Sequence, residues 1–125
     1  MNKQITKVPK ISIITVVLNG EKTINKCIKS VINQSYPSHK VEHIIIDGAS
    51  NDKTVFIIKK YKKNIAYWHS KKDAGLYDAM NIGIRKCTGN IIGILNSDDF
   101  FNKNALKIVS KYFANHQIDF LFGSV

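Results

Sequence analysis

The sequence predicts an α/β fold: a mostly parallel sheet with helices on both faces. Three observations carry that expectation. Apolar β-branched runs alternate with helix-period segments along the whole chain, the arrangement that results when parallel strands are joined by crossover helices. The runs are continuously apolar and not alternating, which is the pattern of strands covered on both faces. And 125 residues, 44% hydrophobic and 22% charged, suffice for one core and not two.

Each element has its own signal. ISIITVVL, Ile11 to Leu18, is the first strand, and Asn19-Gly20 breaks it. Residues 21–35 follow with Ile24, Cys27, Ile28, Val31 and Ile32 on one helical face, stopping before Pro37. VEHIIID, Val41 to Asp47, is the second strand, and DGASND after it is a turn cluster that also supplies caps. The next helix spans about 52–62 with Val55, Ile58 and Tyr61 inward. IAYWHS, Ile65 to Ser70, reads as strand three. Leu76 to Cys87 reads as a helix with Leu76, Met80, Ile84 and Cys87 on one side, closed by Thr88-Gly89. IIGILN is strand four, a helix capped near Asn102 follows, and DFLFGSV, Asp119 to Val125, is a fifth strand. Residues 1–10 form an N-terminal extension, and 11–125 form the domain.

The formal charge of +10 decides little about partners. Only Arg85 among nineteen basic residues is an arginine, and the lysines are dispersed, whereas nucleic-acid surfaces cluster their charge and favour arginine forks. A solvated lysine face is the plainest account, no nucleic-acid partner is expected, and peripheral contact with an anionic membrane stays open. No apolar run approaches the ~20 residues of a membrane span, and MNKQITKVPK has no apolar signal core, so a cytoplasmic location is expected. Cys27 and Cys87 form no C-x-x-C pair and suit buried thiols. His39 and His43, four apart across a loop and a strand start, lack a third ligand for zinc.

Ligands of parallel sheets bind beyond the carboxyl ends of the strands. Those ends carry Asn19, Asp47, Lys71 to Asp73, and Ser97 to Asp99, which gathers four of nine acidic residues on one rim of a basic chain. Adjacent Asp98 and Asp99 repel, and a hard divalent cation, Mg2+ or Mn2+, would cancel that repulsion. Two other readings stay open: a cap on the helix near Asn102, or an acid–base dyad. Phosphate-loop and dinucleotide glycine motifs are absent.

The segments ISIITVVLNGEKTINKCIKSVINQSYP, EHIIIDGASNDKT, DAGLYDAMNIGIRKCTGNIIGILNSDD and DFLFGSV, in this order and spacing, resemble the N-terminal, nucleotide-binding half of family 2 glycosyltransferases. The resemblance implies the GT-A fold and an inverting transfer of sugar from a nucleoside diphosphate sugar, commonly UDP-linked, to a glycan or lipid-linked acceptor. It places Thr15, Val17, Asn19 and Asp47 at the base, and Asp73, Asp78, Asn81 and Ser97 along the rest of the nucleotide sugar. NSDD becomes this chain's form of the D-x-D metal motif, with Asp98 and Asp99 as ligands. Asn96 stands where many members have the first Asp, Lys71 where many are acidic, and Val16 and Leu18 replace a frequent Pro and Tyr. The catalytic base of the family follows the fifth strand, so here it is expected after Val125. The competing expectation is a nucleotide-sugar-binding module without turnover.

Overall fold

The computed structural model describes residues 8–115 of the chain. Four strands, β1 (Ile11–Val17), β2 (Val41–Asp47), β3 (Tyr67–Ser70) and β4 (Ile91–Ile94), form a parallel sheet in the order β3-β2-β1-β4. Four helices connect and follow them: α1 (Ile24–Ile32), α2 (Thr54–Lys60), α3 (Leu76–Lys86) and α4 (Ala105–Asn115). Single 3-10 turns at Ser38–Lys40 and Lys62–Asn64 lead into β2 and towards β3. The fifth strand read from Asp119 to Val125 lies outside the described residues.

Register explains why the central strands carry no polar face. β1 pairs with β2 along its whole length, Ile11 with Val41 through Val17 with Asp47, and with β4 from Ile11–Ile91 to Ile14–Ile94. Flanked on both edges and covered on both faces, it is buried at every position except half-buried Val16. On one face Ile11, Ile13, Val17 and Ile45 pack with α1, Ile58 of α2 and Leu106 of α4. On the other, Ile44 and Ile46 pack against Ala79 of α3. Each fully buried isoleucine contributes roughly 1.5–3 kcal/mol of transfer free energy, and this sheet encloses many.

α3 turns a different face inward from the one its apolar spacing suggests. Leu76 and Ile84 are 57% and 46% exposed, while Ala79 and Gly83 are buried against the sheet. Close approach is the reason. A Cβ on Gly83 would sit 2.6 Å from Cγ2 of Ile14, so only small residues let the helix reach β1. Ile32, read as inward on α1, is likewise at the margin, 36% exposed.

At the amino-terminal end of the sheet, Glu42 is the organising group. It accepts from the Ser12 hydroxyl (2.6 Å) and from the N–H and hydroxyl of Thr88, and it pairs with Lys10 at 3.4 Å. Burial raises its pKa, but those hydrogen bonds and the Lys10 charge outweigh it and hold the carboxyl below its usual range. Residues 8–10 are thus tied to the domain, with Tyr36 donating to the Pro9 carbonyl and the Lys10 N–H donating to Asn90. A cavity of about 360 Å³ at this end, lined by Val31, Tyr36 and His39 among others, touches none of the rim residues.

Candidate functional site

The rim beyond β1 and β2 is a framework of side chains bonded to backbone. Asp47, completely buried, accepts from the N–H (2.9 Å) and hydroxyl of Ser50 and from the hydroxyl of Ser70 (2.6 Å). Those donors fix the Gly48–Ser50 turn, in which Ala49 takes a left-handed φ of 69°. Asn19, also left-handed at φ 52°, bridges to the same turn: its N–H donates to Ser50 and its side chain accepts from the Asn51 N–H. Glu21 accepts from the Lys53 N–H. Asp52 accepts from the Thr54 N–H and hydroxyl and from the Glu21 N–H, bonds that hold its carboxyl low against the opposing effect of desolvation. The two loops are therefore stitched together.

This geometry bears on three sequence expectations. The Thr15 and Val17 side chains are buried under α1 in this conformation, 0% and 2% exposed. Thr15 instead sits in a buried chain, 2.8 Å from His43 Nε2 and 3.7 Å from the Cys27 sulfur. Burial pushes His43 down to about 3 and the Cys27 thiol up to about 11, so both are neutral packing groups. Asp47, assigned to the edge of a base, has its acceptors given to Ser50 and Ser70 and no exposed surface. In this conformation it builds the loop. Ser50, Ser70, Asp52, Thr54 and Glu21 went unassigned in the sequence; the Ser/Asp/Asn density of DGASND was the signal that could have found most of them.

Between β3 and α3, Gly75 adopts φ 113°, a conformation that suits glycine, and opens the helix. Asp78 in the first turn accepts from the Ala74 N–H and Asp73 from the Gly75 N–H. Asp73 also reaches across to the β2 loop, its Oδ2 lying 3.2 Å from where a Cβ on Gly48 would be. Asn81 is exposed.

Beyond β4, Leu95 continues the pairing by donating its N–H to the Ile14 carbonyl. NSDD is then a tight turn, closed by the Asp99 N–H donating to the Asn96 carbonyl. Ser97 Oγ lies beside Gly20, 3.6 Å from the site of a Cβ there, which brings this turn against the end of β1. Asp98 is exposed and Asp99 half-buried, and neither carboxylate has a hydrogen bond or ion pair to a described residue. The helix cap that either could have supplied falls to Asn102, whose side chain accepts from the Asn104 N–H.

Two unpartnered carboxylates on one turn fit a divalent cation that completes its shell with phosphate oxygens and water. They do not fit an all-protein cage: no group of three or more His, Cys, Asp or Glu side chains among the described residues could hold a metal. Fold and site together define a parallel α/β domain with a ligand rim at its carboxyl edge, one half rigid and one half bearing free negative charge. The family is then plain. Residues 12–125 match the model of glycosyl transferase family 2, and the chain belongs to that family.

Its similarities agree. It is 39% identical over 97 residues to the uncharacterized glycosyltransferase Rv1514c of Mycobacterium tuberculosis, covering 78% of this chain and 37% of that protein. It is 32% identical over 117 residues to the poly(ribitol-phosphate) beta-N-acetylglucosaminyltransferase TarP of Staphylococcus aureus, covering 91% of this chain and 36% of that one. The crystal structure of S. aureus TarS 1–349 with UDP-GlcNAc superposes with a TM-score of 0.80 at 26% identity, over 86% of this chain and 32% of that chain. The mannosyltransferase PcManGT of Pyrobaculum calidifontis, solved with GDP-Man and Mn2+, shares the fold at TM-score 0.75 and 23% identity, over 88% of this chain and 33% of that one. The match spans no more than 37% of the length of these relatives.

Proposed function

We propose that this chain is the donor-binding part of an inverting glycosyltransferase, taking a sugar from a UDP-linked donor for transfer to a glycan or lipid-linked acceptor. The observation that carries the reading is the pair of unpartnered carboxylates, Asp98 and Asp99, at the carboxyl rim of a family 2 sheet. Mg2+ or Mn2+ held there would neutralise the charge that develops on a departing nucleoside diphosphate. Ser97, in the same turn, and Asn81 and Asp78 of α3 are the side chains proposed to orient the diphosphate and sugar. Asn19 and Asp73, at the ends of the stitched loops, are proposed to flank the nucleoside. Asp47 acts one step back, by holding the Gly48–Ser50 turn on which that nucleoside rests. The similarity to TarS, solved with UDP-GlcNAc, supports a UDP-linked donor.

Acid–base help with the acceptor hydroxyl is proposed to come from residues beyond those described. Among the described acidic groups Glu42 lies at the opposite end of the sheet, while Glu21, Asp47 and Asp52 are committed to the loop framework. The proposed place of action is the cytoplasmic side, with membrane contact through the lysine-rich surface; no described helix is long and apolar enough to cross a membrane. Calorimetric titration with UDP, with and without Mn2+, tests the donor assignment. Metal-dependent binding that is tighter for UDP than for GDP is the expected result, and absence of nucleotide binding in either condition would overturn it.

A further inference from the structure

A second polar concavity lies on the other side of Asp73, away from the NSDD turn. It is a cleft of about 430 Å³ between edge strand β3 and the carboxyl-terminal half of α3. Its charged lining is unbalanced: Lys71, Lys72, Arg85 and Lys86 face one carboxylate, Asp73. Asp73 is engaged elsewhere, accepting from the Gly75 N–H and leaning on Gly48. None of the four cations is in an ion pair among the described residues. Arg85 is the sole arginine of the chain, and a guanidinium presents the planar fork that suits a phosphate oxygen pair.

The wall of the cleft also holds an unmatched polar atom. His69 Nδ1 lies 2.9 Å from the Tyr67 hydroxyl, with the rings edge to face at 5.7 Å. Burial lowers the His69 pKa, and the Lys71 and Lys86 charges lower it further against the opposing Asp73 and Asp47, so the ring is neutral near pH 7. Either tautomer of the ring satisfies Nδ1 through the Tyr67 hydroxyl and leaves Nε2 unmatched. Nε2 is shielded from water and has no partner, and a buried polar atom left unmatched is costly. Lys86 is held in place, its ammonium 4.5 Å over the Tyr67 ring.

We propose that this cleft is a second anion site, which takes a phosphate group, free or esterified, through Arg85, Lys86 and Lys71, with the Tyr67–His69 pair forming its wall. It adjoins the donor rim through Asp73 but is independent of it, and it stands whether or not the rim binds UDP. A phosphate-bearing acceptor and a soluble phosphate metabolite share the chemistry required.

The probes are inorganic phosphate and glycerol 3-phosphate, added while the His69 ring nitrogens and the Arg85 side chain are followed by NMR, with chloride at matched ionic strength as control. The expected result is a saturable shift at the Arg85 side chain and the neighbouring His69 ring for both phosphates and none for chloride. Arg85→Gln, on an exposed side chain, is expected to weaken binding by about tenfold, the factor for loss of a charge-assisted pair. Asp98→Asn, which alters the rim alone, is expected to leave it unchanged. Tighter glycerol 3-phosphate than phosphate binding favours an ester ligand, and equal affinities favour the free anion; both keep the site. A shift that matches chloride, survives Arg85→Gln undiminished, or is lost in Asp98→Asn overturns it.

Discussion

The two halves of the rim use the same residue type for opposite purposes. On the β1–β2 side, Asp47 and Asp52 accept between them six hydrogen bonds from Ser50, Ser70, Thr54 and Glu21. On the β4 side, Asp98 and Asp99 accept none from the described residues. A carboxylate saturated by donors is structure, because its charge is already compensated. An unsaturated pair stores repulsion that an arriving cation relieves. The comparison teaches that rim position alone does not make a carboxylate a ligand; its donor count does.

The largest effect is expected where the carboxylates are bare. Asp98→Asn removes a charge that nothing else compensates, so Mn2+-dependent UDP affinity should fall about tenfold or more. The unfolding midpoint should hold or rise slightly as repulsion with Asp99 disappears. Calorimetry and thermal melts on one preparation read both quantities. A variant that loses stability and keeps metal dependence would erase the distinction between the halves.

Asp47→Asn is expected to do the reverse. Replacing a buried acceptor of three hydrogen bonds should cost about 1–3 kcal/mol in urea unfolding. UDP and GDP affinities should then drop by a common factor as the Gly48–Ser50 turn loosens. A loss confined to UDP would return Asp47 to the edge of the base and show that the loop opens on binding.

Acid should weaken the fold through groups remote from the bare pair. Unfolded His43 gains a proton as pH falls through 6.5, whereas in the folded core it does so only near 3. Stability attributable to it is therefore full above 6.5 and declines as pH drops across that interval. Glu42 acts in the same direction lower down, because its depressed folded pKa contributes stability that is lost as carboxylates protonate. Denaturant unfolding at stepped pH should show the decline, and Glu42→Gln should flatten its acid end. The smallest effect is expected from Asp99→Asn, within about 0.5 kcal/mol of the parent in stability, again by urea unfolding.

Much of the fold was legible because it rests on short-range rules. The span of β2 is as read, and Asn19-Gly20, Thr88-Gly89 and Asn102 punctuate the chain where they were expected to. Helix ends came out shorter, at Thr54–Lys60 against 52–62 for example, because cap residues such as Asp52 bond to the first turn without joining it. The inward face of α3 was misread for a long-range reason: Gly83 is decided by Ile14, 69 residues earlier. The rim divided in the same way. Its location followed from the parallel topology, but the burial of Thr15 and Val17 depends on α1 lying over β1. The saturation of Asp47 depends on Ser70, a strand away. Helical or strand periodicity carries no record of such partners.

Paramagnetic broadening by Mn2+ tests the bare-pair assignment most directly. Backbone amide signals of the isotopically labelled protein would be followed while Mn2+ is added in the presence of UDP. The expected result is loss of signal centred on Ser97, Asp98 and Asp99, weaker loss at Gly20, and sharp signals at Glu42 and Thr88 at the far end of the sheet. Broadening centred on the β2 turn around Asp47, or none at the NSDD turn with UDP bound, would contradict it.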